Sequence, residues 1–160
     1  QIRPTLDRVK ESVFNMISFS VPGSSVLDLF AGSGALGIEA LSRGAEKAVF
    51  VDVCLASLQT TRQNLAKTRL EEKSACVCSD YAAFLADTNE TFDIIFLDPP
   101  YAAGYITSAL AGIRERHLLR HDGIIICEYN SADEVICPEG FTLYRNKKYG
   151  IARILLMKEL

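Results

Sequence analysis

From Ser25 the chain runs SVLDLF, breaks into AGSGALG, and then keeps helical spacing from Ala35 until Arg43, where Gly44 stops it. A short apolar run bounded by glycines reads as a buried strand, and a glycine just past a periodic segment is a natural helix cap. The same order recurs. KAVFVD (47–52), SACVCSD (74–80), FDIIFLD (92–98) and GIIICEY (123–129) read as further strands, with helices predicted over Leu55–Leu70, Tyr81–Ala86 and Ile106–Leu119. Strands alternating with helices build βαβ units, and these stack into a parallel, doubly wound sheet.

The two ends depart from this order. Thr5–Phe19 places Leu6, Val9, Val13, Phe14 and Ile17 on one helical face, with Pro4 before it and Pro22-Gly23 after it. FTLYRNKKYGIARILLM is two alternating runs meeting near Tyr149-Gly150, which makes an antiparallel hairpin. The expectation is one α/β domain spanning residues 1–160: a doubly wound, mostly parallel, seven-stranded Rossmann-like sheet closed by a C-terminal antiparallel hairpin, with residues 1–22 forming an N-terminal helical segment.

A chain of 160 residues with 49 % hydrophobic content can bury one core. No apolar run approaches the roughly 20 residues needed to cross a bilayer, and the start does not read as a signal peptide, so a cytoplasmic enzyme or binding module is expected. The five cysteines (Cys54, Cys76, Cys78, Cys127, Cys137) include no C-x-x-C pair and read as buried free thiols, with no metal site. A net charge of −3 argues against nucleic-acid binding through charge alone. The basic groups Arg3/Arg8/Lys10, Arg114/Arg116/Arg120 and Arg145/Lys147/Lys148 are solvated faces unless a site claims them.

Gly32, Gly34 and Gly37 satisfy G-x-G-x-x-G between a strand and a helix, the setting of a nucleotide-binding turn. Both a nicotinamide dinucleotide and S-adenosylmethionine use such a loop, so its neighbours must decide. Asp28 lies inside the strand, where a carboxylate suits a cationic group such as the α-ammonium of S-adenosylmethionine. Asp52 ends the second strand, from which an acid accepts hydrogen bonds from ribose hydroxyls. Asp80 ends the third and can face an adenine amine, although it could equally cap the next helix. The loop residues Phe30, Ala31 and Ser33, with Val53 and Tyr81 beside the acids, complete the candidate cofactor site.

The fourth strand stops at Asp98-Pro99-Pro100-Tyr101. Neither proline can donate to a ladder, so these residues serve the strand's end, on the edge where doubly wound sheets bind ligands. An exocyclic amine of adenine or guanine is a poor nucleophile, because its lone pair is delocalised into the ring. The Asp98 carboxylate and the Pro99 carbonyl can hold its two N–H groups and free that lone pair, while Tyr101 offers a ring for a flipped base to stack on.

Taken together, RPTLDRVKESVFNMI, VLDLFAGSGALGIEALSRGA, VFVD and FLDPPY resemble the bacterial 16S rRNA guanine-N2 methyltransferases of the RsmD type, over essentially the whole chain. The resemblance implies a class I fold, S-adenosylmethionine as cofactor, and methylation of a guanine amine in 16S rRNA or a 30S particle. It places Asp28, Gly32, Gly34, Asp52 and Asp80 around the cofactor and Asp98–Tyr101 around the base. Arg3, Thr5, Arg8 and Lys10 match the family's opening motif and are expected to contact substrate. Members usually carry a further basic, hairpin-like segment before the Arg-Pro-Thr, which this sequence does not include. A monomer is expected.

Three alternatives share some of these residues. An adenine-N6 methyltransferase would use the same acceptor pair, but no stretch is spare for a DNA-reading insertion. An NAD(P)-dependent oxidoreductase would leave Asp28 and the proline pair without a role. A non-catalytic S-adenosylmethionine-binding module would leave the Asp98 motif unexplained.

Overall fold

The computed structural model describes residues 4–100, 102–133 and 135–160. The elements in chain order are α1 (Pro4–Met16), β1 (Ser25–Asp28), α2 (Ala35–Ser42), β2 (Lys47–Asp52), α3 (Leu55–Thr68), β3 (Ser74–Cys78), α4 (Tyr81–Asp87), β4 (Phe92–Leu97), α5 (Ala102–Glu115), β5 (Leu119–Asn130), β6 (Phe141–Tyr149) and β7 (Ala152–Glu159). They build a seven-stranded sheet in the order β3-β2-β1-β4-β5-β7-β6. β1 to β5 pair in parallel, and β7 inserts antiparallel to both β5 and β6. This is the doubly wound architecture expected from the alternation.

The central strands β1, β2 and β4 are apolar on both faces because helices cover both, whereas the edge strands β3 and β6 are partly or mainly exposed. On one face Leu27, Val49, Ile95 and Ile125 pack with Phe84 and Leu85 of α4 and Ile106, Leu110 and Ile113 of α5. On the other, Val26, Phe50, Ile94, Phe96, Ile126 and Ile154 meet Val9, Val13, Phe14 and Ile17 of α1, Leu41 of α2, and Leu58 and Leu65 of α3. α2 starts at the carboxyl edge of the sheet, and α1 runs beside it in the same direction. Lys10 pairs with Glu39, and one turn further along each helix Arg43 lies over the Phe14 ring, 5.0 Å from its centroid. The early turns of α1 therefore lie toward the carboxyl edge. Ser12 is hydrogen-bonded to Tyr149, at the tip of the β6–β7 hairpin.

Several boundaries differ from the sequence expectation, each for a local reason. α1 ends at Met16, not Phe19, because the buried stripe stops at Ile17 and Phe19 is fully exposed. α5 starts at Ala102 and ends at Glu115, and His117 takes a left-handed turn (φ 54) before β5 begins at Leu119. Of the thiols expected to be buried, only Cys127 is; Cys54 and Cys78 are exposed, and all five are free. Cys78 ends β3, which lies at the edge of the sheet. Arg116 is not merely a solvated cation: its guanidinium donates to the carbonyls of Leu85 (2.7 Å), Ala86 (2.6 Å) and Thr88 (2.9 Å), closing the end of α4.

Candidate functional site

β1 has β2 on one side and β4 on the other, so the winding reverses between β1 and β4 and opens a crevice beyond their carboxyl ends. After Asp28 the chain stays pinned in that gap. The Leu29 N–H donates to the Phe96 carbonyl (3.2 Å) and the Ala31 N–H to the Val51 carbonyl (2.9 Å). The chain then turns through Gly32 (φ 57) and Gly34 (φ 83) into α2. Gly34 sits against α3, where a Cβ would lie 2.8 Å from the Thr61 methyl, and Gly37 lies so close to the Phe50 ring that a Cβ would overlap it. These two glycines press the loop and helix down onto the sheet. Gly32, by contrast, has open space where a Cβ would be.

That space is a cavity of about 630 Å³. It brings together Asp28, Phe30, Ala31, Gly32 and Ser33 from the first turn, Asp52 and Val53 from the second, Asp80 and Tyr81 from the third, and Asp98, Pro99 and Pro100 from the fourth. Gly34 is buried behind the loop. Tyr101 and Arg3 lie outside the described residues, as does the Thr5 side chain. Arg8 is exposed on α1, and the Lys10 ammonium is 3.3 Å from Glu39; neither lines the cavity.

The acids differ in environment. Asp28 is fully buried and accepts the Gly37 N–H (3.0 Å). Burial pushes its carboxyl up to about 8; the Gly37 bond opposes this, and the charges of Asp98 and Asp52 add to it. A cation at that point would favour the carboxylate. Asp52 is half-exposed and braces the loop, accepting the Gly32 N–H (2.9 Å) at Oδ2 and the Cys54 N–H (2.8 Å) at Oδ1. Each oxygen keeps a lone pair for a ligand hydroxyl. Asp80 is the N-cap of α4, its Oδ1 accepting from the Ala83 N–H (2.8 Å), so the capping role open to it in the sequence is real. Its other oxygen stays available at the cavity wall. Asp98 stands where solvent reaches it, yet protein surrounds it closely enough to push its carboxyl up to about 6.

Two further features shape the site. Tyr105, from the first turns of α5, stacks on Phe30 with ring planes 5° apart and centroids at 6.0 Å, and Tyr81 tilts against both. The three rings form an aromatic cluster at the cavity, against which a ligand ring can pack. The second is Glu128, near the end of β5, which burial and then the Asp98 charge push up to about 7. An acid closing the apolar run GIIIC is the signal that singled out Asp52 and Asp80, so the sequence did contain it.

The model of the family described as "Conserved hypothetical protein 95" matches residues 1–158. A Bacillus subtilis protein provisionally named rRNA methyltransferase YlbH is 42 % identical, covering 98 % of this chain and 88 % of its own. The Ribosomal RNA small subunit methyltransferase D of Haemophilus influenzae is 35 % identical over 94 % of this chain and 79 % of its own. Among solved structures, an Escherichia coli protein provisionally named methyltransferase yhhF superposes with a TM-score of 0.89 at 30 % identity, covering 99 % of this chain and 90 % of that one.

Proposed function

The chain belongs to the RsmD-type methyltransferase family, and from that premise we propose that it methylates the exocyclic N2 amine of a guanine in small-subunit ribosomal RNA, with S-adenosylmethionine as donor. The observation that carries this reading is the convergence of Asp28, Gly32, Asp52, Asp98 and Pro99 on one cavity at the switch point of the sheet.

The residues present fit the donor. Gly32 leaves open the space a Cβ would fill, the first turn of α2 offers free N–H groups, and Asp28 is an acid held ready for a cation. Asp52 would accept from the ribose hydroxyls, and Phe30, Tyr81 and Tyr105 would flank the adenine. S-adenosylmethionine, when bound, supplies a methyl group on a sulfonium, already activated toward a neutral amine.

What remains for the chain is alignment and charge. Asp98 would accept one N2–H and the Pro99 carbonyl the other, releasing the nitrogen lone pair from the ring. As the N–C bond formed and the donor's S–C bond broke, its electron pair leaving on a neutral thioether, the nitrogen would gain positive charge beside the Asp98 carboxylate and then shed a proton to it or to water. Tyr101 would stack on the flipped base. Arg3, Thr5 and Arg8 precede or open the helix whose early turns lie toward this edge, which supports their reading as substrate contacts. Among the described residues no helix is long and apolar enough to cross a membrane.

The test is transfer of labelled methyl to undermethylated 30S subunits, followed by nucleoside analysis. N2-methylguanosine is expected. N6-methyladenosine, or label in duplex DNA alone, would overturn the substrate assignment.

A further inference from the structure

β4 and β5 pair in parallel up to Leu97 and Cys127. β4 ends there and β5 runs on, so Asp98 and Glu128 are the residues that follow this last pair at the carboxyl edge, close enough for the Asp98 charge to act on Glu128. Alternation puts both on the face that carries Phe96, Ile126 and Ile154. On its far side Glu128 pairs with Ile154 of β7, which is fully buried. Glu128 is half-buried, and among the described residues no hydrogen bond or ion pair reaches its carboxyl or that of Asp98. Its oxygens are therefore free to accept from a ligand.

The donor cavity is walled by the turns after β1, β2 and β3 and by Asp98-Pro99-Pro100, not by β5. In-line displacement puts the sulfur and the amine nitrogen on opposite sides of the methyl carbon, so a base whose amine is held at Asp98 lies beyond the donor cavity, and β5 with Glu128 is the strand next to Asp98 that this cavity leaves uncovered. Beside its N2 amine, guanine presents N1–H, a second donor; beside its N6 amine, adenine presents N1, an acceptor. Asp98 and the Pro99 carbonyl can hold either amine. The adjacent acid cannot serve both edges, because its carboxylate accepts from N1–H and faces a lone pair on adenine N1.

We propose that Glu128 accepts the N1–H of the target guanine and so is the residue that selects guanine over adenine. This deepens the guanine-N2 reading and rests on it. An empty site near neutral pH holds Glu128 poised between its two forms, because burial and the Asp98 charge push it up to about 7. A donor such as N1–H favours the carboxylate.

The test uses 30S particles reconstituted from semisynthetic 16S RNA with guanine or 2-aminopurine at the mapped position. 2-Aminopurine keeps the exocyclic amine and lacks N1–H. The wild-type enzyme is expected to favour guanine by about 100-fold in kcat/KM, as sites that hydrogen-bond a donor reject analogues lacking it. Glu128→Gln, whose amide can accept from N1–H or donate to a bare N1, should cut that preference to within about tenfold. The affinity for S-adenosylmethionine by calorimetry should be unchanged, which a loss of structure would not allow. If Glu128→Gln does not fold, Glu128→Asp takes its place and must also narrow the ratio, since its carboxyl is drawn back by one methylene. Guanine and 2-aminopurine accepted alike by the wild type, or a ratio unmoved by substitution, would overturn the role of Glu128 and leave the methyltransferase reading standing. Failure of the wild type to yield N2-methylguanosine from native particles would overturn both.

Discussion

Asp28 holds its proton in the folded chain at a pH where the unfolded chain has released it, since burial lifts it from 3.8 to about 8. Its stabilising effect is therefore complete below about pH 4 and is lost as the pH rises toward 8. Asp28→Asn removes that dependence and still accepts from the Gly37 N–H. Scanning calorimetry at pH 7.5 without donor should show a melting temperature higher by roughly 2–4 °C for each kcal/mol relieved, while titration with S-adenosylmethionine should show affinity lost; a variant that melts lower would contradict the account. Asp98 is tested through the reaction. Only its ionised form offers the negative charge that offsets the charge growing on the nitrogen, so kcat should fall as the pH drops below about 6. Asp98→Asn, similar in shape but uncharged, should lose about 10²-fold to 10³-fold in kcat with donor affinity retained, and unchanged turnover would refute its role.

At the level of elements, close packing makes sharper demands than any hydrogen bond. Gly37→Ala drives a methyl into the Phe50 ring beneath α2, and overpacking of that kind costs about 1–3 kcal/mol, which urea unfolding would register. Arg116→Ala strips the end of α4 of three accepted bonds and should cost about 1–3 kcal/mol, with hydrogen exchange faster in α4 than in the sheet. Strands buried on both faces announced themselves in the sequence as unbroken apolar runs, and their ends located Asp28, Asp52, Asp80 and Asp98. The start of α5 was hidden because Ala102–Tyr105 carry no apolar periodicity, and the start of β5 because LRHD is polar. Tyr105 entered the site only through that unforeseen first turn. Glu128 closes an apolar run as Asp52 does, so its position was readable; what was hidden is that it follows the strand beside Asp98, because register between strands is not written in either strand alone.

For the molecule as a whole, a net charge of −3 hides an uneven distribution. The hairpin β6–β7 carries Arg145, Lys147, Lys148, Arg153 and Lys158 and no acid between Phe141 and Lys158, so the remainder is markedly negative. With so little overall attraction to phosphate, recognition of RNA should depend on shape and on protein neighbours. Methyl transfer to a 30S particle is therefore expected to exceed transfer to protein-free transcript, and equal turnover on the two would contradict that. The bond between Ser12 and Tyr149 bears on how such a molecule comes into being. It ties α1 to the β6–β7 hairpin, 137 residues further along the chain, and β7 supplies part of the surface beneath that helix. A chain still emerging from its exit tunnel can pair β1 with β2, wind the first βα units and lay α1 against α2, but the part of its seat that Ile154 and Leu156 of β7 supply is not yet in place. Closure of this long loop is a late and slow event, so the donor-binding turns would be assembled before α1 has fully settled, and donor binding would precede the ordering of the helix above it.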